Sequence, residues 1–238
     1  MSPQASACMD CPLGRFQDGV ATSYLPLDDA GTAACKECVP GKYANGLLRS
    51  PDATCITCPV GYFQSNTSSA ECEECKRGRF QNEIGQSNCV FCDAGRYQDA
   101  PGERSCKECE AGFSQAKRAQ PKCVMCNPGK FQNETGTTLC MECRAGGYST
   151  ERGQSVCNDC AVGTFQKSVG QSSCKLCDSG QYQSQEGQEM CLDCATGHFS
   201  DEKGQMVCKI CGIGKFREQS ILIACEECKR GRFQNEIG

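Results

Sequence analysis

Apolar positions along this chain are scattered singly among polar ones, and the longest greasy run, Ile221-Leu222-Ile223-Ala224, suits only local packing. No segment repeats an apolar residue every three to four positions over two turns, so helix is not expected. What recurs is one aromatic, a glutamine, a polar stretch with a second glycine, and then a pair of cysteines. That pattern predicts a short two-stranded hairpin in each unit. In one copy Phe80-Gln81 starts the first strand with the phenylalanine turned inward, Asn82 to Gly85 make the turn, and Gln86 to Cys89 form the return strand. Gly78, three residues after a cysteine, offers positive φ or a close backbone approach.

The pattern is a tandem repeat. All 26 cysteines fall into 13 Cys-x-x-Cys pairs, and from Cys55 to Cys225 the first cysteines are 17 residues apart ten times running. A glycine follows the second cysteine by three residues in all 13 units, and an aromatic follows two later in 12 of them. The exception is the unit after Cys109, where Phe113 adjoins Gly112 and Ala119 replaces the second glycine, so a distorted turn is expected. Residues 1-54 hold two longer, irregular units, 55-224 ten regular units, and 225-238 a truncated one. The extra residues in the early units, Leu25-Pro26-Leu27-Asp28-Asp29 among them, are expected to bulge as loops.

Composition explains why cysteine dominates. The chain has 238 residues, and Leu, Ile, Val and Phe together number only 35, too few for one hydrophobic core of this length. Ordering one unit costs on the order of 1–2 kcal/mol per residue. One buried aromatic returns about 1.5–3 kcal/mol, and a disulfide closing a loop of this size contributes about 3 kcal/mol. The remainder must come from hydrogen bonds and packing on neighbouring units. The cysteine load points to an oxidising, extracellular compartment. The first seven residues lack the basic start and apolar middle of a signal peptide, which suggests a mature segment of a larger secreted protein. No apolar run is long enough to span a bilayer. The net charge of −4 with interspersed signs argues against a nucleic-acid partner or direct membrane insertion.

Spacing leaves the connectivity open. The preferred reading joins the second cysteine of each pair to the first of the next: Cys11 with Cys35, Cys38 with Cys55, Cys58 with Cys72, Cys75 with Cys89, Cys92 with Cys106, Cys109 with Cys123, Cys126 with Cys140, Cys143 with Cys157, Cys160 with Cys174, Cys177 with Cys191, Cys194 with Cys208, and Cys211 with Cys225. Cys8 and Cys228 are then left over. A bond inside each Cys-x-x-Cys pair is the alternative, although such short rings are usually redox centres.

The run Cys75-x-x-Gly78-x-Phe80, repeated at this pitch, resembles the ephrin-receptor-like cysteine-rich repeats, and the resemblance covers essentially the whole chain. The half-unit ending at Cys89 also looks like the first hairpin of tumour-necrosis-factor-receptor domains and the terminal hairpin of EGF modules. The resemblance implies a small disulfide-rich, all-β fold in a secreted or cell-surface protein, with the flanking cysteines of each hairpin bonded to each other.

Cys-x-x-Cys pairs at this spacing can present four thiolates to zinc, but 13 pairs leave one over and the glycine-aromatic signature follows every pair. No catalytic residue, metal site or cofactor is therefore assigned. His198 occupies the variable position of the Gly-x-Phe turn and reads as a surface residue; acid pairs such as Glu73-Glu74 and Glu226-Glu227 read as a solvated face. The aromatic row reads as packing beside the disulfides. Asn66-Thr67-Ser68 and Asn133-Glu134-Thr135 are glycosylation sequons, so glycan is expected at Asn66 or Asn133, with Ser65, Ser68 and Ser69 open to O-linked sugar.

Residues 72–85 and 225–238 are identical at all 14 positions, an offset of nine 17-residue units. Such duplication suggests an array that continues beyond Gly238 and is used for length. The expected architecture is an elongated rod of stacked hairpins with a disulfide ladder. The expected role is a structural extracellular element (a fibre, cell coat, stalk or appendage) that self-associates head-to-tail or laterally. A receptor or adhesion ectodomain binding a protein ligand is the alternative, with the irregular stretch Pro12 to Ala34 as its best candidate site.

Overall fold

The computed structural model describes residues 11–16, 35–45, 54–217 and 223–237. Cys8, most of the Pro12 to Ala34 stretch and the Ile221-Leu222 pair lie outside the described residues. The described chain is all-β, built of repeated two-stranded antiparallel hairpins. It divides into two compact units, residues 1–108 with 117–123, and 109–116 with 124–238.

Within the first unit Arg15–Phe16 pairs with Lys36–Glu37, Tyr62–Phe63 with Glu73–Glu74, Arg79–Phe80 with Val90–Phe91, and Arg96–Tyr97 with Lys107–Glu108. In the second, Lys130–Phe131 pairs with Met141–Glu142, Gln181–Tyr182 with Leu192–Asp193, and Lys215–Phe216 with Glu226–Glu227. Each strand has two residues, and each pair is a sheet of its own. An isolated ribbon this small is not stable in water, so the frame must come from elsewhere.

The return strand differs from the sequence expectation. It is the x-x of the next Cys-x-x-Cys, Val90–Phe91, rather than Gln86 to Cys89. The physical reason lies at Gln81. Its side-chain amide donates to the carbonyl of Asn88 at 2.7 Å, and its Oε1 accepts from the backbone N–H of Glu83 at 3.0 Å. The side chain does the work of a strand ladder across the loop, so these residues need no strand partner.

The aromatics also differ from expectation. Phe80, Tyr97, Phe131 and Phe165 are half-buried, while the buried residues include most of the second cysteines and the glutamines such as Gln81 and Gln98. Alternation along the short strand sets this: the residue after the aromatic turns to the interior, and in most hairpins it is glutamine. The unit after Cys109 keeps the common register, with Phe113 opposite Met125 and Ser114 opposite Val124. Its turn is not rearranged; Ala119 takes φ of 60°, close to the glycines it replaces.

Candidate functional surfaces

The interior is built around the second cysteine of each pair. Cys58, Cys75, Cys92, Cys143, Cys160 and Cys177 have no exposed surface, whereas most of their disulfide partners are half-exposed. The structure joins Cys11 to Cys35, Cys38 to Cys55, Cys58 to Cys72, Cys75 to Cys89 and Cys92 to Cys106 in the first unit. In the second it joins Cys126 to Cys140, Cys143 to Cys157, Cys160 to Cys174, Cys177 to Cys191, Cys194 to Cys208 and Cys211 to Cys225. Cys109 and Cys123 are disulfide-bonded as well. Sulfurs bonded this way have no thiolate to offer a metal. Cys228 is the free cysteine among the described residues.

Neighbouring hairpins are tied by backbone hydrogen bonds. Gly78 N–H donates to the carbonyl of Gln98, Gln81 N–H to Glu103, and Gly102 N–H returns to Cys75, at 2.8, 3.1 and 2.9 Å. The same three bonds recur in the second unit from Gly146 to Gln166, Ser149 to Gln171, and Gly170 to Cys143. Gly78 closes a type II turn, since Arg79 N–H donates to the Lys76 carbonyl and φ at Gly78 is 79°. It also lies against the hairpin two places on: a Cβ built there would fall 2.2 Å from the Ala119 carbonyl oxygen. Positive φ and close approach are both required at this glycine.

The glutamine bridge recurs at Gln64, Gln98, Gln132, Gln166 and Gln183, each donating to a carbonyl seven residues on. Ser149 and Ser200 stand at the same place, reach a carbonyl only two residues away, and are fully buried. Arg217 also replaces the glutamine; its buried guanidinium donates to the carbonyls of Cys194 and His198. Sequence reasoning placed this column on the strand and missed that it forms the interior. The signal was available: a polar residue recurring at one place in every regular repeat has a structural partner or a functional one.

The outward face carries the variable residues. Arg15 pairs with Glu37 and Arg96 with Glu108 directly across their hairpins, at 2.6 and 2.7 Å. Arg79 instead lies over the Phe91 ring, 4.3 Å from its centroid. Glu74, half of an exposed acid pair, accepts from the Tyr62 hydroxyl at 2.9 Å, and this bond raises the phenol above its ordinary value. Glu226 and Glu227 are exposed. His198 is half-buried, with Nδ1 3.1 Å from the Thr196 carbonyl. Among the described residues no three His, Cys, Asp or Glu side chains are grouped as metal ligands, and no helix is long and apolar enough to cross a membrane.

Both sequon asparagines are exposed at hairpin tips, and the structure places them differently along the loop. Asn133 directly follows its bridging glutamine, whereas Asn66 is second after Gln64 and donates its own N–H to the Gln64 Oε1 at 2.9 Å. Ser65 and Ser68 lie in the same tip, exposed and half-buried respectively, and Ser69 donates to the Asn66 carbonyl. In the second unit the position before the first cysteine of a pair is apolar and exposed at Leu139, Val156, Met190 and Val207. That feature is legible only once the outward direction is known.

A family model described as tyrosine-protein kinase ephrin type A/B receptor-like matches residues 47–85, 61–109, 78–120, 146–187 and 180–221, which together cover more than half of the chain. No curated protein matches the sequence.

Proposed function

The chain belongs to the ephrin type A/B receptor-like family of cysteine-rich repeats, and from that premise we propose that it is a non-catalytic structural element, a rod, stalk or filament component. Its family and its disulfide density make it an extracellular repeat protein. The observation that carries the structural role is that one hairpin-to-hairpin contact is used over and over. Gly78, Gly112 and Gly146 each donate to a carbonyl of the following hairpin at 2.7–2.8 Å. A chain built this way gains length by repeating one contact, whereas specific recognition normally rests on a few residues clustered at one place. Local disulfide loops also limit what a single cut or pull can release.

Lateral self-association is the mode of assembly. Exposed Leu139, Val156, Met190 and Val207 stand at one repeat position of the second unit, and apolar side chains left in water at a recurring place favour burial against another copy. Electron microscopy of native, non-reduced protein tests the role: uniform fibres support it, and separate short particles at high concentration favour the receptor or adhesion reading. Replacing the four apolar residues by serine is expected to leave hairpin stability within about 0.5 kcal/mol while abolishing concentration-dependent association in sedimentation. Unchanged association would remove this surface from the proposal.

A further inference from the structure

The two sequons differ by one residue in phase against the hairpin, and that single step decides where the hydroxyl of the third residue goes. In Asn133-Glu134-Thr135 the third residue precedes the left-handed glycine, Gly136, and Thr135 is exposed with Asn133 and Glu134. In Asn66-Thr67-Ser68 the third residue occupies the glycine place itself. Ser68 has φ of 55°, donates its N–H to the Cys38 carbonyl at 3.0 Å, and sets its own carbonyl against Gly14. Its hydroxyl has less than 1 Å² of exposed surface and no hydrogen-bond partner. A sequon is read through both the asparagine amide and the hydroxyl two residues on. One tip therefore exposes both residues together, and the other hides the hydroxyl of its third residue between hairpins.

We propose that Asn133 is an N-glycan acceptor that the folded hairpin presents complete, and that Asn66 is an acceptor only before its hairpin docks on the preceding one. The reaction is transfer of an oligosaccharide from a lipid-pyrophosphate-linked donor by a cellular transferase. The Asn133 Nδ2 bonds to the anomeric carbon of the first sugar, the bond from that carbon to the pyrophosphate oxygen breaks, the nitrogen gives up one proton, and the lipid pyrophosphate departs. No redox change is involved. The proposal rests on the extracellular reading, but it does not depend on filament formation.

The repeat supplies an internal control. The tip Asn82-Glu83-Ile84 has the phase of Asn133 and lacks only the hydroxyl, so Ile84→Thr completes a sequon there. In the hairpin of Asn66, Ser65→Asn followed by the existing Asn66-Thr67 creates a sequon in the Asn133 phase. The experiment directs the full chain into the secretory pathway of a eukaryotic cell with an added leader and measures site occupancy by peptide mass after enzymatic glycan removal in heavy-oxygen water. Expected are severalfold higher occupancy at Asn133 than at Asn66, occupancy at Asn82 in Ile84→Thr and at position 65 in Ser65→Asn comparable to Asn133, and a rise at Asn66 when reductant delays disulfide closure during synthesis. Equal or greater occupancy at Asn66, an unmodified Asn133, or no modification at either engineered tip overturns the proposal. Secretion without glycan leaves the filament reading intact, so the two fail separately.

Discussion

The two compact units have interiors of the same plan and differ on the outside. In the first, Gln98 spans its loop to the Ser105 carbonyl; in the second, Gln183 does the same to Met190. Yet the position before a cysteine pair is polar from Cys55 to the end of the first unit, at Thr54, Glu71, Asn88, Ser105 and Lys122, and apolar at Leu139, Val156, Met190 and Val207 in the second, where Ser173 is the polar exception. The interior keeps one plan, a buried cysteine beside a buried polar residue that is glutamine in most hairpins and Ser149, Ser200 or Arg217 in others. The outside carries no such obligation, so its chemistry is free to follow use. The difference is one of surface chemistry at a single repeat position, on a frame of the same plan.

If the frame is common, equivalent lesions must cost alike in both units. Gly78→Ala and Gly129→Ala put a Cβ 2.2 and 2.0 Å from a carbonyl oxygen, of Ala119 and Gly170 respectively, at positive φ. Each is expected to cost on the order of 3 kcal/mol or more and to open the local amides in hydrogen exchange. A large effect in one unit alone would break the comparison. Next come Gln98→Ala and Gln183→Ala. Each removes a buried side chain and leaves a part-buried carbonyl and a backbone N–H without that partner, for an expected loss of about 1–2 kcal/mol by denaturant titration.

Smaller effects sharpen the picture at the turns. Ala119 holds φ of 60° where Gly170 holds 69°. Ala119→Gly should stabilise the first unit by about 1 kcal/mol, and Gly170→Ala should destabilise the second by a similar amount. Two thermal shifts of the same sign would contradict a shared turn geometry.

The smallest effect concerns the exposed ion pairs Asp99–Lys107 and Asp201–Lys209, both at 2.7 Å. The lysine hydrogen bond holds each carboxyl below the ordinary carboxylate value, and the same bond raises each ammonium. A lowered carboxyl contributes above its unfolded value and loses that contribution as pH falls through its folded value. A raised ammonium contributes below its unfolded value and loses it as pH rises through the folded one. Asp99→Asn and Asp201→Asn should therefore lower the melting temperature slightly at neutral pH and not at all in acid. Because both pairs are exposed, salt should shrink even this difference.

The spacing of Cys55 through Cys225 determined the repeat, the Gly-x-aromatic signature carried the resemblance to the family, and the lack of helical periodicity pointed to an all-β class. The need for Gly78 was legible for the same reason: a glycine at one place in every unit marks a backbone demand. What only the tertiary structure decided was which way each side chain faces. Two-residue strands carry too short an alternation to orient themselves, so the burial of Gln81 and the partial exposure of Phe80 depend on the carbonyl of Asn88 and on contact with the next hairpins. The left-handed Ala119 and Ser68 were likewise decided by docking, since the neighbours fix a backbone conformation that neither residue would choose alone.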